Sequence, residues 1–117
     1  MTVWQRSVTL ATQLYRATGR FPSDEKFGLI SQIRRSAASI PANIAEGWGR
    51  GSTREYIQFL LMARGSLMEL ETHLIISHNL GYLGPEPLSA LSSETRELGR
   101  MLNGLINALR ARGSASR

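Results

Sequence analysis

The chain has 117 residues, no cysteine and a formal charge of +5, from 14 basic against 9 acidic residues. That length fits one domain around one core, and the lack of cysteine excludes disulfides and thiolate metal sites while suiting a reducing cytoplasm. All the bases but Lys26 are arginine; this reflects either arginine-favouring codon usage or a polyanion partner, because a guanidinium grips phosphate through two donors at once.

The start of the chain, Met1 to Arg6, lacks the apolar stretch of a signal peptide. The longest wholly apolar run, Phe59 to Ala63, falls far short of the ~20 residues of a membrane span. A soluble, cytoplasmic protein with no membrane partner is expected.

Four helical segments are separated by three punctuated turns, and no strand pattern is visible. The first helix is predicted from Thr2 to Thr18, with Val3, Trp4, Val8, Leu10, Ala11, Leu14 and Tyr15 on one arc, and Gly19 with Phe21-Pro22 ending it. The second is predicted to start at Ser23, with Asp24 and Glu25 in its first turn, where the helix dipole favours anions. Its seam is Leu29, Ile30, Ile33, Ala37, Ile40, Ile44 and Trp48. Pro41 is expected to kink this helix or split it near Ser39. Ser52 and Glu55 form a capping-box pattern for a third helix reaching His78 or Asn79. After Gly81 and Gly84-Pro85, a last helix is expected from Glu86 to Arg112, with Leu91, Leu98, Leu102, Leu105 and Leu109 as its stripe. Residues 113–117 read as a flexible tail after a 1–112 domain. Four long helices with short connections imply an antiparallel up-down-up-down bundle.

The apolar residues of the third helix spread over about 200°, more than the interior of one bundle consumes. Opposite the isoleucine seam of the second helix lies a face of small residues, Ala38, Ala42 and Ala45. Either these two helices are the central pair, or self-association covers the surplus. The expected interface is Ala38, Ala42, Ala45, Ile57, Leu61, Met62, Met68 and Ile76.

Several polar groups stand near apolar positions. Arg64 and Glu71 fall inside the apolar arc of the third helix, where a bare charge is costly. With Arg35, Ser39, Asn43 and Glu46 they are expected to form a structural network, Ser39 and Asn43 serving backbone groups that Pro41 leaves unpaired. Catalytic chemistry is poorly supported. Neither histidine, His73 or His78, follows a glutamate by three residues, as a carboxylate-bridged metal pair requires, so no metal and no cofactor are expected. Ser66 lies mid-helix rather than on a nucleophile elbow, and Gly65 reads as a close helix contact. The segment Gly47 to Arg54 is the best anion candidate, with backbone N–H groups at a helix start between Arg50 and Arg54, though a plain turn fits equally well. Trp48 could stack on a base, but its place on the seam favours core packing.

The stretches Phe21-Pro22, Gly28-Leu29, Arg34-Arg35, Ser39-Ile40-Pro41-Ala42-Asn43-Ile44-Ala45-Glu46-Gly47, Phe59-Leu60, Gly65-Ser66, Glu69-Leu70-Glu71 and Gly81-Tyr82-Leu83 together carry a resemblance. The chain resembles the bacterial four-helix-bundle family that includes proteins encoded by intervening sequences of 23S rRNA genes. Ser36 and Arg64 depart mildly from that pattern, where alanine and lysine are common. The resemblance implies a bundle assembled as a ring of five, without enzymatic activity. It also implies kinship with accessory proteins of diversity-generating retroelements, which look like basic, nucleic-acid-binding rings that partner a reverse transcriptase. A non-enzymatic scaffold binding RNA or DNA non-specifically is therefore expected. Arg34, Arg35, Arg50, Arg54 and Arg64 are the first candidates for phosphate contact, and Arg110 and Arg112 the second. The alternative is an interaction module that docks an acidic or nucleic-acid-associated protein without touching nucleic acid itself.

Overall fold

The computed structural model describes residues 2–115. The described residues are all-α: α1 (Thr2–Thr18), a 3-10 turn (Ser23–Glu25), α2 (Leu29–Gly49), α3 (Thr53–Asn79) and α4 (Pro85–Ala115), with no strand. They form a four-helix bundle in which α2 packs most extensively on α3, α1 lies on α2 and α4 on α3, while α1 and α4 touch least.

Helix boundaries follow local chemistry. Thr18 ends α1 with its hydroxyl donating to the Leu14 carbonyl at 2.7 Å. The expected start of the second helix at Ser23 is corrected: Ser23, Asp24 and Glu25 make only the 3-10 turn, and α2 begins six residues later. Glu25 still acts as a cap, from four residues upstream, by accepting the Leu29 N–H on Oε1 at 3.1 Å, while its Oε2 accepts the Tyr82 hydroxyl at 3.1 Å. The turn before α2 is thereby pinned to the turn before α4. α2 is not split; it runs through Pro41 as one helix. Ser52 caps α3 as expected, accepting the Glu55 N–H at 3.1 Å. Pro85 opens α4, where its missing N–H removes nothing from the ladder. The helix continues past the expected stop at Arg112, taking in residues 113–115; Ser116 and Arg117, the rest of the expected tail, lie outside the described residues.

The core is built from Leu10 and Leu14 of α1, Ile33, Ile40 and Ile44 of α2, Leu60, Leu67, Leu70 and Leu74 of α3, and Leu98, Leu102 and Ile106 of α4, all essentially inaccessible. Each such side chain contributes about 1.5–3 kcal/mol on burial. The buried hydroxyls cost little because each bonds a carbonyl of its own helix: Ser7 to Trp4, Ser36 to Gln32, Ser77 to His73 and Thr95 to Ser92. Between α1 and α4, Arg6 grips Glu94 with two bonds of 3.0 and 2.9 Å. That hydrogen bond and the carboxylate's charge raise the Arg6 pKa still further.

Three expectations about packing are corrected. Trp4, Val8 and Tyr15 belong to the first helix's apolar arc, yet all three are exposed, and Ser7 and Thr18 take core positions instead. Trp48 is 68% exposed and rests edge-on against Tyr56, with ring centroids 5.8 Å apart. The rest of the indole borders an open cleft with Leu109 and Arg112. Gly47, one residue earlier, lets α2 lie close on α3: an added Cβ would sit 2.7 Å from the Phe59 Cβ. Gly65, by contrast, faces open space rather than a helix of its own chain.

Candidate nucleic-acid interface

The arginines singled out from the sequence divide into two groups. Three are committed to protein partners. Arg34 donates to the Thr18 hydroxyl at 2.9 Å and to the Tyr15 carbonyl at 3.0 Å, and its guanidinium lies 4.9 Å from the Tyr15 ring centroid. It thus serves a carbonyl in the last turn of α1 that also takes the Thr18 hydroxyl at 3.3 Å. Arg64 leaves the expected network and donates to Asn103 Oδ1 at 2.8 Å, joining α3 to α4. Arg50 pairs with Glu46 at 3.2 Å, approaches Glu55 at 3.8 Å and covers the Phe59 ring at 5.1 Å. Its charge is balanced in place.

The other group is open. Arg35, Arg54, Arg110 and Arg112 are exposed, and none of them makes an ion pair among the described residues. Arg54, Arg110 and Arg112 converge where α2 ends, α3 starts and α4 ends. Two clefts share Thr53 and Leu109 there: one of about 190 Å³ bordered by Trp48, Tyr56 and Arg112, and one of about 560 Å³ bordered by Arg54, Gln58 and Arg110. No carboxylate borders either cleft. Gly51, at φ +82°, makes the turn that brings the α3 start beside Trp48. The backbone cradle suggested by the sequence is partly filled already. The Ser52 hydroxyl takes the Glu55 N–H, and the Glu55 carboxylate sits in the first turn of α3. What remains for an external anion is the side-chain cluster, assisted by the positive end of the α3 dipole.

The single polar network expected of Arg35, Ser39, Asn43, Glu46, Arg64 and Glu71 resolves into separate local pieces. Ser39 meets Ser66 at 2.6 Å, a link between α2 and α3, and also donates to the Ser36 carbonyl. Asn43 donates to the Ser39 carbonyl at 2.8 Å. Neither reaches the Ala37 carbonyl, the acceptor that Pro41 deprives of its N–H four residues on. Arg35 bonds Gln32 on its own helix at 3.0 Å. Glu71 forms no ion pair among the described residues. Arg64 and Glu71 both sit half-buried at the rim of α3, where water solvates them, so no buried charge needs balancing.

Of the expected interface residues, Met62, Met68 and Ile76 are exposed, as are Ala42 and Ala45, and Ala38 is half-buried. Ile57 and Leu61 are half-buried against the bundle's own core. Ile75, part of the third helix's apolar arc but not of the expected interface, is also exposed. At 100° per residue, Met62, Gly65, Met68, Thr72, Ile75 and Ile76 share an outward arc of about 140°. Only Glu69 interrupts it with a charge.

Among the described residues, no group of three or more acidic or histidine side chains could hold a metal. His78 Nδ1 lies 2.8 Å from the Leu83 carbonyl and His73 Nε2 lies 3.4 Å from Glu69. No helix of the described residues is long and apolar enough to cross a membrane.

The fold has a counterpart in the crystal structure of a protein of unknown function from the S23 ribosomal protein family of Bacteroides thetaiotaomicron. The TM-score is 0.80 and the identity 25%, over 89% of this chain and 97% of that one. No curated protein matches the chain. The family model of the 23S rRNA-intervening sequence protein matches residues 1–104, and the chain belongs to that family.

Proposed function

We propose that the protein is a non-enzymatic, cytoplasmic, homo-oligomeric scaffold that binds RNA or DNA through backbone phosphates. The observation that carries this reading is the carboxylate-free cluster of Arg54, Arg110 and Arg112 beside the exposed Trp48. Three unpaired guanidinium groups around adjoining clefts attract a polyanion without reading its bases. Assembly strengthens the effect: five copies at +5 each carry +25, focused on shared surfaces.

The assembly we favour is a ring of five up-down-up-down bundles, with α2 kinked at Pro41. Its number rests on the family resemblance. Its contact face rests on the α3 stripe, where Met68 alone is 65% exposed. An exposed stripe this rich in apolar side chains is what a lone soluble bundle avoids. The same stripe favours a second reading, a module that docks an acidic or nucleic-acid-associated protein and binds no nucleic acid itself.

Fluorescence anisotropy with a labelled single-stranded RNA between about 50 and 200 mM salt tests the first reading. The expected log–log slope is about −2 or steeper, from at least three phosphates neutralised per subunit at ~0.7 ions each. Binding that is absent at the lowest salt, or flat across the range, refutes it. Recovery of a protein partner after nuclease treatment would instead support the docking module.

A further inference from the structure

The turn from α1 into α2 carries a second cluster of rings and cations that lies apart from the arginine cleft. Phe27 is 89% exposed, and the Tyr15 ring beside it is 46% exposed. With Lys26, Arg34 and Arg35 they border an open cleft of about 480 Å³. No carboxylate borders it. Glu25, next to Lys26 in the chain, is occupied by the Leu29 N–H and the Tyr82 hydroxyl. The Lys26 ammonium lies 5.5 Å from the Phe27 ring centroid, and the Arg34 guanidinium lies 4.9 Å from the Tyr15 ring centroid while bonding Thr18 and the Tyr15 carbonyl. Arg34 is half-buried and borders the cleft, so part of its guanidinium surface stays open to a stacking base. An exposed phenyl ring offers a second π surface at the same cleft.

We propose that this cleft is a base-stacking subsite for single-stranded nucleic acid. Phe27 and the Arg34 plane receive bases, while Lys26 and Arg35 contact the flanking phosphates. Stacking on rings and guanidinium planes is open to unpaired bases and closed to a duplex, whose bases are already stacked. This subsite adds a preference for single strands to the phosphate contacts made at the arginine cleft. The two sites lie towards opposite ends of α2, with Phe27 and Trp48 about 30 Å apart along the helix axis. The proposal rests on the polyanion-binding reading above.

The test uses the full chain, with Phe27→Ala and Phe27→Trp beside the wild type. Each is titrated with an oligouridine of about 16 nucleotides, a duplex RNA of equal length, and heparin, which has charge but no bases. Loss of one stacked base is expected to weaken oligouridine binding by Phe27→Ala about tenfold. Duplex and heparin affinities should stay unchanged, and Phe27→Trp should restore oligouridine binding. The proposal is overturned if Phe27→Ala binds oligouridine like the wild type, or loses heparin to the same degree. It is also overturned if Phe27→Ala alters the mass of the assembly, because the ring then seats a second copy. A wild type that binds none of the three probes removes the underlying reading as well.

Discussion

Gly47 offers a quantitative check on the packing that positions the arginine cleft. A Cβ at this residue would lie 2.7 Å from the Phe59 Cβ and 3.1 Å from Tyr56 Cδ1. Carbon atoms rest at about 3.5–4.0 Å, so Gly47→Ala requires α2 and α3 to separate locally by roughly 1 Å. The atom it meets first is anchored to the α3 backbone and cannot rotate away. Overpacking of this kind costs about 1–3 kcal/mol, and the gain in helix propensity offsets at most ~1 kcal/mol. The net expectation is a loss of about 1–2 kcal/mol, a fall in Tm of roughly 4–8 °C for a chain of this size. Gly104→Ala is the control. It lies inside α4, its Cβ would meet nothing within 4 Å, and it should stabilise by about 0.5–1 kcal/mol. Urea unfolding followed by circular dichroism at one fixed protein concentration measures both, since association couples to stability. If Gly47→Ala is neutral or stabilising, α2 and α3 do not meet as described.

Alkaline pH should weaken the fold through Tyr82. Its hydrogen bond to Glu25, with burial adding to it, raises its pKa above the ordinary ~10. Because the folded-state value is raised, the stabilisation is complete below about pH 10 and fades as pH climbs through that raised value. Burial moves Tyr56 the same way, so stability measured from about pH 9 to 12 should fall, and Tyr82→Phe should flatten the decline without abolishing it. Replacing Arg54, Arg110 or Arg112 singly by alanine should make the salt dependence of single-stranded RNA binding shallower by about 0.7 ion each, at little cost to stability; an unchanged slope would remove that residue from the interface. Met68→Glu places a carboxylate on the outward stripe of α3, so sedimentation should show smaller species while the helical signal persists. Retention of the full assembly would move the interface elsewhere.

How much of this was legible in the sequence depends on whether the deciding contact is local. Ser52 with Glu55 marked the α3 start because both partners lie within one turn, and the isoleucines of α2 announced their shared face through their spacing. The α2 start was misplaced because Ser23-Asp24-Glu25 imitates a helix entry, whereas Glu25 completes its cap only by reaching past Phe27-Gly28 and leaning on Tyr82. Trp48 shows a related limit. Periodicity gives the direction of a side chain around the helix but not how fully a neighbour covers it, and Trp48 meets an edge of Tyr56 yet stays exposed. For the candidate site the sequence supplied the arginines but not their state. Thr18 and Asn103, which occupy Arg34 and Arg64, are distant in the chain and carry no motif. The open cluster of Arg54, Arg110 and Arg112 forms only because the last turn of α4 comes beside the first turn of α3.

Light scattering of the purified full chain, coupled to size exclusion at low salt with and without a short single-stranded RNA, examines assembly and polyanion binding together. Subunits that share the α3 stripe predict a mass near five times 12.9 kDa, rising further when RNA is added. A folded 12.9 kDa species that persists at high micromolar concentration and gains no mass from RNA would contradict both.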